Sequence, residues 1–126
     1  MTYVLDAGAL LAVERGDRKL IADLRYENVA GRPPVTHGGV VGQVWRGGSG
    51  AQVPLARALT LMAVVPLGNA LGRRAGELLA RAGTRDVIDA ALVLLAGPDD
   101  LVLTSDPDDL GALARAARRR IRILSL

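Results

Sequence analysis

Leu101-Val102-Leu103-Thr104-Ser105-Asp106-Pro107 carries the strongest fold signal in the chain. Leu101 to Thr104 are apolar or β-branched without interruption, which reads as a strand buried on both faces, and Ser105-Asp106-Pro107 breaks it. Helical character follows from Asp108 to Arg119. A strand with two apolar faces belongs in a parallel sheet covered by helices on either side, so it requires partners of the same kind. Upstream, Tyr3-Val4-Leu5 is a short strand ending at Asp6, and Gly8-Ala9-Leu10-Leu11-Ala12-Val13 begins a helix. Val35-Thr36 is a second strand, Ala63-Val64-Val65-Pro66-Leu67 a buried third, and Ile121-Arg122-Ile123-Leu124 the last.

The segments between strands carry helical spacing and recognisable ends. Leu20, Ile21, Leu24 and Val29 mark a helix over 17–29 with Asp17 as its N-cap, stopped by Gly31-Arg32-Pro33-Pro34. Further helices are expected over 38–46, 51–61 and 68–82, the last closed by Gly83. Another runs from Thr84-Arg85-Asp86 through Ala96, before Gly97-Pro98. Gly47-Gly48-Ser49-Gly50 is a flexible loop, too short to link domains. Strands alternate with helices along the chain. The expected fold is α/β, a three-layer α/β/α sandwich around a short central parallel sheet, as a single domain over 1–126.

Composition narrows the function. One domain's length, 126 residues, excludes a two-domain enzyme with separate cofactor and substrate modules. The absence of cysteine removes disulfides, cysteine zinc sites and thiol nucleophiles, and a single histidine, His37, removes histidine-rich metal sites. Tyr3, Tyr26 and Trp45 are the only aromatics, too few for a base-stacking platform. Nucleic acid would therefore be held by charge. The net charge is +3, with Lys19 the only lysine among 16 basic residues, a skew that GC-rich coding explains as well as phosphate recognition does. No basic and apolar signal precedes the first strand and no apolar run approaches the roughly 18 residues that span a bilayer, so the expected location is the cytoplasm.

Functional groups in an open parallel sheet gather beyond the carboxyl ends of its strands. Asp6 and Asp106 stand at such ends. Asp86 and Asp89, three apart, share one helix face and add further carboxylates. Like charges so placed repel unless a divalent cation lies between them, and oxygen ligands suit magnesium or manganese. Such a metal supports phosphodiester hydrolysis. Asp17 and Asp108 read as N-caps, and Asp86 reads equally as cap or ligand. Asp89 interrupts an apolar run without a capping reason, so it reads as a ligand, while Asp109 either assists Asp106 or favours its helix N-terminus. His37 reads as a surface or packing residue. Arg46, and with it Arg85, is expected to hold an RNA backbone near the acids; packing beside Trp45 is the alternative for Arg46.

Val4-Leu5-Asp6-Ala7 with its following helix, Asp89-Ala90-Ala91-Leu92 within an alanine-rich helix, and Leu103-Thr104-Ser105-Asp106 with Asp109-Leu110 resemble the PIN-domain family. These small metal-dependent ribonucleases occur as VapC-type toxins in bacterial toxin-antitoxin pairs. The resemblance covers the whole chain. It implies an α/β/α sandwich, a divalent-metal site, RNA cleavage, a homodimer and inhibition by a cognate antitoxin. Asp6 matches the family's first acidic ligand, Asp89 its third and Asp106 its fourth; Asp86, one turn earlier, shares or replaces the role of Asp89. The second acidic position, usually a glutamate, falls in Val41-Gly42-Gln43-Val44-Trp45-Arg46 and is Gln43 here. A glutamine offers a carbonyl but no charge, so one metal is expected and a second becomes doubtful.

Two readings follow. The first is an active magnesium- or manganese-dependent endoribonuclease, the toxin of a type II pair. The second is a weak or inactive PIN-like domain that binds RNA or an antitoxin, and Gln43 separates the two. A receiver domain would need a lysine after a later strand, whereas Lys19 falls in an early helix.

Overall fold

A computed structural model describes residues 1–48 and 50–126. Its five strands are β1 (Tyr3–Leu5), β2 (Val35–His37), β3 (Ala63–Val65), β4 (Leu101–Thr104) and β5 (Arg122–Ser125). All neighbours pair in parallel, in the order β3-β2-β1-β4-β5. Seven α-helices surround them among the described residues: α1 (Ala7–Glu14), α2 (Arg18–Val29), α3 (Gly38–Val44), α4 (Val53–Leu59), α5 (Asn69–Ala82), α6 (Val87–Leu95) and α7 (Pro107–Ala116). α1 packs on α2, α3 and α4, whereas α5, α6 and α7 pack on one another, giving the expected three layers.

The core follows from the apolar runs. Val4, Leu5, Val102 and Leu103 in the central strands are buried, as are Leu10 and Val13 of α1, and Ala90 to Val93 of α6 are buried completely. Two consecutive alanines at Ala90 and Ala91 let α6 lie close to the sheet, a placement that bulkier side chains would prevent. Burial is lowest at the sheet edges. Val64 of β3 is 42% exposed, so this strand is not the fully buried one its apolar sequence suggests; it pairs only with β2 and stops at Val65, before Pro66.

Several helix ends also differ from expectation. The segment read as one helix over 51–61 opens as a short 3-10 turn at Gly50–Gln52 and becomes α-helical from Val53, with Pro54 in its first turn. α7 starts one residue earlier than expected and ends at Ala116, not Arg119, because Arg118 adopts a left-handed conformation, φ 55°. Asp108 therefore lies inside the first turn, and Asp106 takes the cap position without a capping hydrogen bond. Asp17 caps α2 as expected, accepting from the amide of Leu20 at 3.0 Å. Among the described residues no helix is long and apolar enough to cross a membrane.

Candidate functional site

The strand order fixes where a site forms. From β1 the chain steps to β2 and β3 on one side, then crosses back to β4 and β5 on the other, so β1 and β4 flank the switch point. Crevices open at the carboxyl ends of such strands. Leu5 is paired with Leu103, and the amide of Asp6 donates to the carbonyl of Leu103 at 3.2 Å, which puts Asp6 level with Thr104.

Asp6 is buried and firmly held. Its Oδ1 accepts from the amide of Ala9 at 2.9 Å, capping α1, and its Oδ2 accepts from the Thr104 hydroxyl and, at 3.3 Å, from the amide of Ser105. Thr104 Oγ1 also accepts from the amide of Asp106 at 2.8 Å. One buried hydroxyl thus ties the turn after β1 to the turn after β4. From sequence, Thr104 and Ser105 beside Asp106 are expected to hydrogen-bond a metal-bound water; in the fold the Thr104 hydroxyl bonds Asp6 and the amide of Asp106. Gly8 allows the same approach, since a Cβ there would run into the side chain of Ser105.

Asp86 and Asp89 come from the start of α6. Asp86 is the N-cap, accepting from the amide of Asp89 at 3.0 Å, so the capping alternative describes its hydrogen bonding. Asp89, half-buried, has its carboxyl pushed up from 3.8 to about 7, first by burial and then by the negative charges of Asp86, Asp6 and Asp106. Asp109 is also raised, by its hydrogen bond to Asp106, by the charge of Asp106, and by Asp108 and Asp86. Three sequence segments, the turn after β1, the start of α6 and the turn after β4, therefore bring carboxylates into one field. Among the described residues no arginine or lysine pairs with these carboxylates; the ion pair found there joins Arg32 to Glu27, elsewhere.

His37 is buried, so of its two readings the packing one describes it. It ends β2 and caps α3, with Nδ1 accepting from the amide of Gly39 at 3.1 Å and Nε2 donating to the carbonyl of Ile88 at 2.9 Å. Burial lowers its tendency to protonate, and the neutral ring links β2 to the residue before Asp89. Gln43 is exposed on α3, and among the described residues its side chain makes no hydrogen bond. Arg46 is exposed and directs its guanidinium to the carbonyls of Gly42, Gln43 and Trp45, closing the end of α3. Arg85 is exposed immediately before α6.

The donor set suits a hard cation in kind. Asp6 has accepting capacity beyond its three bonds, and Asp89 and Asp106 contribute further carboxylate oxygens. Among the described residues, however, no three acidic or histidine side chains converge closely enough to form a ready-made metal cage. The carboxylates share a field without meeting at a point. No family model, curated protein or solved structure matches this chain.

Proposed function

We propose that the chain is a PIN-like, divalent-metal-dependent endoribonuclease that hydrolyses phosphodiester bonds. Within that reading it is the toxin of a type II toxin-antitoxin pair, acting in the cytoplasm as a homodimer and restrained by a cognate antitoxin. The observation that carries the proposal is the placing of Asp6 and Asp106 at the switch point between β1 and β4, with Asp86 and Asp89 close enough to raise the Asp89 carboxyl and, among the described residues, no arginine or lysine paired with them. Asp6, Asp89 and Asp106 would hold magnesium or manganese, with Asp86 alongside. Such an ion supplies positive charge to a phosphoryl group and makes water a stronger nucleophile.

The chain's own groups divide the remaining work. Asp6 is held by three donors and fixes one oxygen at the switch point. Asp106, on an exposed turn, has room to adjust to an ion. Asp89, its carboxyl raised to about 7, would hold a cation in its ionised form, so binding would tighten as pH rises. Arg85, exposed beside Asp86, is available to a phosphate of the RNA. Arg46 can play the same part only by leaving the carbonyls that it now binds.

A second reading, a weak or inactive PIN-like domain that binds RNA or an antitoxin, is favoured by Gln43, whose side chain has no charge to offer and among the described residues makes no hydrogen bond. Calorimetric titration with manganese tests the metal site. Binding by the wild type, lost in Asp106→Asn and stronger at pH 8 than at pH 6, is the expected result. Equal affinity in wild type and Asp106→Asn would remove the site.

A further inference from the structure

The opposite rim of the sheet, at the amino ends of β4 and β5, carries a feature of the opposite sign. Between the last turn of α7 and the start of β5 the sequence reads Arg115-Ala116-Ala117-Arg118-Arg119-Arg120-Ile121-Arg122, five arginines in eight residues without an acid. Arg118, Arg119 and Arg120, with Ala96 and Pro98, line a hollow of about 490 Å³. Two guanidiniums have structural uses: Arg119 donates to the carbonyl of Ala96 at 2.8 Å and Arg122 to that of Asp99 at 3.0 Å. Arg118 and Arg120 are exposed, and among the described residues neither side chain makes a hydrogen bond or an ion pair. The facing turn contributes Asp99, exposed, and Asp100, whose carboxylate is engaged by the amides of Thr2 and Gly97.

Arg118 is also the one non-glycine with positive φ among the described residues, at a helix end where glycine fits without strain. An arginine held there aims charge at the hollow at the expense of backbone comfort. Compensation of the α7 dipole does not account for it, since Arg115 already occupies the last turn.

We propose that this hollow anchors the phosphodiester backbone of a single nucleic-acid strand. Guanidinium groups bind phosphate through paired donors, and a recess flanked by two unpartnered ones receives a phosphate group that projects from a flexible strand. A flat lipid surface does not enter a recess. The anchor is separate from the acidic rim: β4 alone, four residues long, puts roughly 13 Å between the two ends of the sheet. It goes beyond the proposed hydrolysis and does not depend on it.

Fluorescence anisotropy with labelled oligouridine and oligothymidine of about 20 nucleotides, in EDTA so that no metal chemistry intervenes, tests the site. Salt is varied from about 50 to 200 mM. The double variant Arg118→Gly/Arg120→Ala removes both free guanidiniums while relieving the left-handed backbone. It should bind both strands about tenfold more weakly, with a salt slope shallower by about 1.4 for two lost phosphate contacts. Arg74→Ala/Arg81→Ala, with the same loss of charge on α5, should leave the slope unchanged. An unaltered slope in the first variant, or an equal change in both, would overturn the proposal. So would weaker binding to phosphatidylglycerol vesicles with strand binding intact. None of these results bears on whether the acidic rim cleaves RNA.

Discussion

Asp89 is the residue at which burial and charge meet most sharply. In the fold its carboxyl keeps a proton up to about 7, against 3.8 as the ordinary value. Between those two pH values the native chain binds more protons than the unfolded one, so metal-free stability falls as pH rises through that window and levels off above it. Asp89→Asn should flatten this dependence and melt higher than wild type at pH 8 but not at pH 4, as read from thermal scans in EDTA. Thr104 is the second test at this scale. Thr104→Val removes the hydroxyl that serves Asp6 and the amide of Asp106, and should lower stability by about 1–3 kcal/mol in urea titrations while leaving the strand intact. The acids themselves were legible in the sequence: Asp6 and Asp106 from their places after apolar runs, and Asp89 as a charge inside one. The Thr104 hydroxyl was legible as a hydrogen-bonding group and His37 as a packing residue, but not which groups they bind. Their roles depend on partners far away in the chain, Leu103 to Asp106 against Asp6 and Ile88 against His37, which no local pattern reports.

The turn after β1 and the turn after β4 work as a pair, joined by Asp6, Thr104 and the bare backbone of Gly8. Gly8→Ala would press its new methyl into Ser105, so the two turns must separate. A loss of about 1–3 kcal/mol in stability is expected, together with weaker manganese binding, and calorimetry at matched folded fraction separates the two effects. Element types and order could be read from apolar periodicity because β1, β3 and β4 are apolar runs and most helices are set off by proline, glycine or an aspartate cap. Their limits were harder. β3 looks buried because its residues are apolar, yet edge position is a property of the sheet and not of the strand. α7 reads as continuing to Arg119 because alanine and arginine favour helix, and the left-handed Arg118 overrides that preference.

For the molecule as a whole, the strand order places a negative rim at the carboxyl ends of β1 and β4 and a positive hollow at the amino ends of β4 and β5. The switch point explains why residues as distant in sequence as Asp6 and Asp106 share one field, and why Asp89 joins them through the close packing of α6. Gln43, on α3 beyond β2, is where the chain departs from the PIN-like pattern proposed for it. Gln43→Glu should tighten manganese binding by adding a charged oxygen ligand, and an unchanged affinity would place α3 outside the site. If the carboxyl rim cleaves RNA with a divalent cation, as proposed, cleavage of a panel of structured RNAs in magnesium by wild type and by Asp106→Asn, whose exposed position spares the fold, will show it. Wild type should cut at least one RNA, stop in EDTA, and exceed Asp106→Asn by about a hundredfold or more. Wild type no faster than Asp106→Asn on every RNA would contradict it.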